Sequence, residues 1–126
     1  MNVLVTGASG QLGSEIQNNT HRISNYYFSD ADSLDITDAQ AIRAFVQQHA
    51  IDLIVNCAAY TNVDKAEDDS ATAEAINHTA VVHLANVCSE FHLPLIHIST
   101  DYVFGGTKNT PYRETDATQP LGVYGR

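Results

Sequence analysis

Basic residues are scarce in this chain. Six Lys and Arg stand against fifteen Asp and Glu, a formal net charge of −9. A surface of that sign argues against nucleic acid or an anionic membrane as a principal partner. It also means that a phosphate-bearing ligand must be held by local backbone dipoles, without help from a general positive field. Cysteine is limited to Cys57 and Cys88, far apart and in no C-x-x-C arrangement. Both read as small buried hydrophobes in a reducing cytoplasm, not as a disulfide or a reactive thiol. No apolar run approaches the length of a membrane span. Met1 leads straight into a strand-like run with no basic segment or small-residue cleavage pattern, so no signal peptide is expected. The six His residues show no H-E-x-x-H or comparable spacing, and no metal site is expected. The composition is that of an ordinary globular protein, 44% hydrophobic and 17% charged over 126 residues. That length suits one domain with a real core and is too short for two.

The chain is organised around its first thirteen residues. Val3-Leu4-Val5 is a short apolar run that reads as a strand buried on both faces. It turns at Thr6 into Gly7-Ala8-Ser9-Gly10-Gln11-Leu12-Gly13, glycines spaced G-x-x-G-x-x-G, with a helical stretch following directly. A strand that turns sharply into a helix aims unpaired N–H groups and the positive end of the helix dipole at one spot. In this reading Gly7 permits the turn, Gly10 lets a pyrophosphate approach the main chain, and Gly13 lets the helix lie against the strand. The bland alternative is a glycine-rich turn without a ligand. A phosphate loop of the nucleotide-hydrolase type is excluded, because Ser14-Glu15 follows Gly13 where Lys-Ser/Thr would be required.

Further along, helix and strand signals alternate. Gln11 to about Asn18 is the first helix, with Leu12 and Ile16 on one face, ended by Asn18-Asn19-Thr20. Asn25-Tyr26-Tyr27-Phe28 is aromatic enough for a second strand. It closes on Ser29-Asp30, and Asp30 falls about twenty residues after the glycine loop, where a dinucleotide fold places the acid that holds the adenosine ribose. The alternative for Asp30 is a turn residue, but with the glycine loop in place the ribose role is favoured. Thr37-Asp38-Ala39-Gln40 has the form of a capping box with Thr37 as N-cap. The helix after it carries Ile42, Phe45, Val46 and His49 as a stripe. Asp52 to Asn56 is the third strand, followed by a polar connection from Tyr60 to Lys65. The longest helix is expected from about Asp69 to Phe91, burying Ala73, Ile76, Ala80, Leu84, Val87, Cys88 and Phe91. Asn77 lies on that stripe, where it either bonds a neighbouring carbonyl or faces a site. Leu95 to Ser99 is the fourth strand. Beyond Thr100 the periodicity is lost among Gly105, Gly106, Pro111, Pro120, Gly122 and Gly125, a loop segment and not a second domain.

Alternating strands and amphipathic helices mean βαβ units: an α/β Rossmann-type parallel sheet with helices on both faces, strand order 2-1-3-4. Thr6, Asn56-Cys57-Ala58-Ala59 and Ser99-Thr100-Asp101 end strands one, three and four and open onto one crevice. The hydroxyls of Thr100 and Tyr124 gather there, either as reactive groups or as passive hydrogen bonders. A Ser-His-Asp triad from His97, Ser99 and Asp101 fails, because residues adjacent in one strand cannot converge.

Several runs together carry a family resemblance: Val3 to Gly13, Leu34 to Asp38, Asn56 to Glu67, Ser99 to Gly106 and Pro120 to Gly125. The chain resembles the dTDP-4-dehydrorhamnose reductases, extended short-chain dehydrogenase/reductases, from end to end. Ser-Thr-Asp-Tyr-Val-Phe and Val-Asp-Lys-Ala-Glu are its most distinctive runs. The resemblance implies NADH- or NADPH-dependent reduction of the C4 keto group of dTDP-4-dehydro-L-rhamnose, in dTDP-rhamnose biosynthesis in the cytoplasm. It implies that Gly7, Gly10, Gln11, Leu12 and Gly13 hold the pyrophosphate. Asp30, Asp35 and Ile36 would flank the adenosine, and Ala58, Ala59 and Thr61, with Asn77 counted alongside them, the rest of the cofactor. Thr100 and Tyr124 would be catalytic, and Val63, Asp64 and Tyr102 would face the sugar. Asp30 followed by Ala31 leans to NADH over NADPH.

Two departures from the family pattern affect the expectations. Gly122 stands where the family usually has Asn, and the Tyr-x-x-x-Lys lysine would lie beyond Arg126. The 126 residues are therefore expected to be the dinucleotide-binding part of a longer reductase, without its sugar-nucleotide domain. Alone they are expected to bind dinucleotide modestly, to show no turnover, to be disordered at the last residues, and to self-associate through an exposed fourth strand. The rival readings are a non-catalytic dinucleotide-binding regulatory subunit, like that of methionine adenosyltransferase, and a related sugar-nucleotide epimerase or dehydratase.

Overall fold

A computed structural model describes residues 1–20 and 24–126. The elements run β1 (Asn2–Thr6), α1 (Gln11–Asn18), β2 (Asn25–Ser29), α2 (Ala39–His49), β3 (Leu53–Asn56), α3 (Val63–Asp68) and α4 (Ser70–Glu74). A π-helical turn (Ala75–Thr79) joins α4 to α5 (Ala80–Phe91), and β4 (Leu95–His97) precedes a 3₁₀ turn at Asp101–Val103. All pairings are parallel, in the order β2-β1-β3-β4, the Rossmann-type arrangement expected.

Successive strand residues point to opposite faces. Val3, Leu4 and Val5 are nevertheless all buried, so both faces of β1 are covered. Leu4 and Ile54 meet Ile42 and Val46 of α2 and Leu84, Val87 and Cys88 of α5 in the main core, which Leu34 and Ile36 close from the connection after β2. Phe45 and His49 extend the α2 stripe onto the Tyr27 ring. Of the stripe expected along Asp69 to Phe91, Ala73 of α4 and Ala80, Leu84, Val87 and Cys88 of α5 are buried, Phe91 packs at the margin, and Ile76 on the π-turn is only half-buried. Both cysteines are free, and burial pushes their thiols up from the ordinary value.

Three local expectations are corrected. The N-cap of α2 is Asp38, not Thr37: Asp38 Oδ1 accepts from the N–H groups of Gln40 and Ala41. Thr37 turns its hydroxyl and N–H to Asp35, so the ionised side chain takes the stronger capping role one residue later. The polar connection after β3 contains a helix, α3, capped by Asn62, whose side chain accepts from the Lys65 N–H. Its end and the start of α4 share Asp69, whose carboxylate accepts from the Thr72 N–H. Thirdly, β4 stops at His97, two residues short of Ser99. Asp38→Ala should lower unfolding free energy by about 1 kcal/mol in urea titration, and Thr37→Ala by clearly less; equal losses would restore Thr37 as a cap.

Candidate functional site

The site begins at Gly7. Its φ is +67°, and a Cβ there would sit 2.5 Å from the Ala58 nitrogen. Glycine is required twice over: by the left-handed backbone and by the close pass of the chain leaving β3. Gly13 carries the second close contact, since its α-carbon faces the Gly7 carbonyl and the Ala8 backbone. The Ala8 N–H bonds the Ser29 carbonyl at 2.9 Å, and the Cys57 N–H bonds the Thr6 carbonyl at 3.1 Å. The loop is thus tied to the ends of both neighbouring strands. Above it α1 begins at Gln11, with Gly10 at the N-cap, no side-chain cap and no acidic residue in its first turn. Its leading N–H groups and positive dipole end are left for a ligand to satisfy.

A buried polar chain ties the strand ends together. The Thr6 hydroxyl donates to Asn56 Oδ1 at 2.6 Å, and the Ala58 N–H donates to the same oxygen at 3.2 Å. Two donors on Oδ1 fix the amide orientation, so Asn56 Nδ2 is the atom 3.0 Å from His97 Nδ1. The amide nitrogen can only donate, hence Nδ1 accepts and the ring proton resides on Nε2.

The next wall is built from α4 and the π-turn. Asn77 Oδ1 accepts from the Tyr60 N–H at 2.8 Å, and its Nδ2 donates to the Tyr60 carbonyl at 3.0 Å. The side chain therefore acts as a two-point clamp on the segment Ala58–Thr61. The extra residue of a π-turn is a common device for aiming one side chain off a helix.

These elements enclose a cleft of about 560 Å³, a size suited to a small-molecule ligand. Gly10, Gln11 and Leu12 of the glycine loop, Ala58, Ala59, Thr61 and Asn77, and Thr100 and Tyr124 all line it. Leu12 is exposed at the cleft and Ile16 is half-buried, so the face of α1 expected from these two is not a buried one. Gly7 and Gly13 lie beneath the loop. Asp30, at the end of β2, shares a turn with Ser33, bonded at its N–H, carbonyl and carboxylate. Asp35 is held below the usual carboxylate range by the hydroxyl and N–H of Thr37, and Ile36 belongs to the core. Those five, with Val63, Asp64 and Tyr102, are outside the cleft lining.

Thr100 caps the 3₁₀ turn: its hydroxyl accepts from the Tyr102 N–H at 3.2 Å, while its own proton faces Asp101 Oδ1 at 3.4 Å. That long bond leaves the hydroxyl able to donate to a ligand. The last residues, expected to be disordered, make contacts with the rest of the chain. Gly125 is buried with its α-carbon against the Tyr102 carbonyl, and the Tyr124 ring meets the Tyr102 ring edge-on at 5.4 Å. The Val123 N–H bonds Glu67 at 2.8 Å. Sequence reasoning missed Asn56 and His97 as one network, Glu74 and His78 in the cleft wall, and Glu67. The sequence signal for α3, and so for the placement of Glu67, was Asn62 followed by an acidic first turn, an N-cap pattern.

Long-range 1H–15N spectra should show His97 as the Nε2–H tautomer. Asn56→Asp, which places an acceptor opposite Nδ1, should move the proton to Nδ1; an unchanged tautomer would break the network argument.

The RmlD substrate binding domain family matches residues 1–126. A dTDP-4-dehydrorhamnose reductase of Mycobacterium tuberculosis is 43% identical over 98% of this chain and 42% of its own length. The crystal structure of a reductase of that name from Clostridium acetobutylicum superposes with a TM-score of 0.95 at 37% identity, over 99% of this chain and 45% of that one. The Bacillus anthracis reductase, solved in complex with NADP, gives a TM-score of 0.95 at 36% identity, over 98% and 44%. The chain thus spans less than half the length of the relatives it matches. By the match over its whole length and by the Rossmann-type sheet, this chain belongs to the RmlD family, that of the dTDP-4-dehydrorhamnose reductases.

Proposed function

We propose that residues 1–126 form the dinucleotide-binding part of a reductase that converts dTDP-4-dehydro-L-rhamnose to dTDP-L-rhamnose with NADH or NADPH. One observation carries this reading: a single cleft joins the uncapped start of α1 to the hydroxyls of Thr100 and Tyr124. Gly7, Gly10 and Gly13 fit a pyrophosphate, because the first and third are filled by backbone contacts while Gly10 meets only the Gly7 carbonyl and faces the cleft. Gln11 and Leu12 present the neighbouring N–H groups. Asp30 and Asp35 serve the adenosine ribose side, with the Ile36 backbone beside them, and Ala58, Ala59, Thr61 and Asn77 shape the rest of the cofactor wall. When bound, the nicotinamide supplies the hydride for C4 of the sugar. Thr100 donates a hydrogen bond to the C4 oxygen, and Tyr124 gives that oxygen its proton as ketone becomes alcohol. Val63, Asp64 and Tyr102 take the sugar side. Asp30 followed by Ala31 favours NADH, since a carboxylate repels a 2′-phosphate; the NADP of the Bacillus anthracis structure belongs to that relative.

The 126-residue chain should bind NADH more tightly than NADPH in calorimetry and show no turnover, whereas a protein of the relatives' length should oxidise NAD(P)H with dTDP-4-dehydrorhamnose. Tyr124→Phe in that longer protein should lower kcat by about 100-fold or more. Binding without oxidation there would leave a non-catalytic regulatory role. Protein-dependent oxidation by the 126 residues alone would overturn their inactivity.

The β4 edge carries the second proposal. Ile96 and Ile98 are half exposed and β4 pairs only with β3 among the described strands, so the edge can pair with a second copy. Sedimentation at rising concentration should show association that Ile96→Lys abolishes; a monomer throughout would refute it.

A further inference from the structure

The geometry points to Glu67 as the positioning residue that seats Tyr124, an inference that rests on the proton-donor role proposed for that tyrosine. Glu67 lies on α3, one short helix beyond the Ala58–Thr61 wall, and is joined to it through the Asn62 cap. Its Oε1 accepts the Val123 N–H at 2.8 Å, one residue before Tyr124. Gly122 makes this approach possible, since a Cβ there would sit 2.8 Å from the same oxygen. Gly122 is not at positive φ, so the only close neighbour a side chain there would meet is this carboxylate, which would have to shift.

Two other contacts hold the segment, the Gly125 backbone on the Tyr102 carbonyl and the Tyr124 ring on the Tyr102 ring. Both fix it to the 3₁₀ turn after β4 and neither to the β3 side of the cleft. Glu67 supplies that missing point. Among the described residues it is the side chain hydrogen-bonded to the backbone of 122–126 from the segment that follows β3. A phenol attached through rotatable bonds needs its backbone fixed from two directions before its hydroxyl is placed to within hydrogen-bond tolerance. The bond is charge-assisted, which makes it stronger than an ordinary surface hydrogen bond.

The test uses the 126-residue chain and NMR, independently of turnover. Glu67→Ala should speed hydrogen exchange at the Val123 amide by about tenfold or more and move the Tyr124 ring signals towards free tyrosine, leaving those of Tyr26 and Tyr27 in place. Glu67→Gln, which keeps an acceptor oxygen, should retain most of the protection and the ring shifts. Wild-type ring shifts and Val123 exchange in Glu67→Ala would overturn the inference, showing that Tyr102 alone seats the segment. In a protein of the relatives' length, Glu67→Ala should lower kcat at unchanged KM for the dinucleotide, with recovery in Glu67→Gln. If Tyr124→Phe there is fully active while the NMR changes occur, the proton-donor reading fails and the seating by Glu67 stands.

Discussion

The contact between Gly7 and the chain leaving β3 is the constraint on which the rest of the site depends. With a Cβ position only 2.5 Å from the Ala58 nitrogen, no other residue lets these two backbones pass. Ala58 also donates to the Asn56 side chain two residues before it, and that side chain is locked by Thr6 and bonded to His97. Three strand ends are fixed in register by one glycine and one buried amide. Asn56 is nearly inaccessible to solvent, and its three hydrogen bonds are what make burial of a polar side chain tolerable.

From that junction the two walls of the cleft diverge. One runs through α1, the other through Ala58–Thr61 and, by way of α3, into α4 and the π-turn. Asn77 clamps the second wall at the Tyr60 backbone, while Asp69 ends one helix and starts the next within a single residue. This segment has little buried apolar surface of its own; Ala66 and Ala73 are its fully buried residues. Side-chain-to-backbone bonds at Asn62, Asp69 and Asn77 shape it where packing does not.

That difference explains what could be read from the sequence. Strands β1 and β3 and the stripes of α2 and α5 follow hydrophobic periodicity, and burial enforces it, so their place and order were legible. The glycine spacing was legible because sterics leave no alternative at Gly7. The cap of α2 was misplaced because Thr37 and Asp38 are both good N-caps, and the choice is made by Asp35 drawing Thr37 away. Helix α3 was missed because six residues with one buried Ala give no stripe. Seating of Val123 by Glu67 spans 56 positions and leaves no periodic trace in sequence.

Charge sets the remaining condition on any phosphate in this cleft. The chain carries −9 overall, and Arg126 is the Lys or Arg among the lining residues, balanced by Glu74. Long-range attraction therefore gives an anionic ligand no help in approaching. The favourable field is confined to the first turn of α1, whose positive end its own side chains leave unneutralised. Such a field falls off within about one turn and works through N–H groups that must point at the anion to act. Position then matters more than charge: a pyrophosphate is stabilised only if Gly10 lets it reach the main chain, and Gly10 is aimed only because Gly7 and Gly13 are packed beneath it.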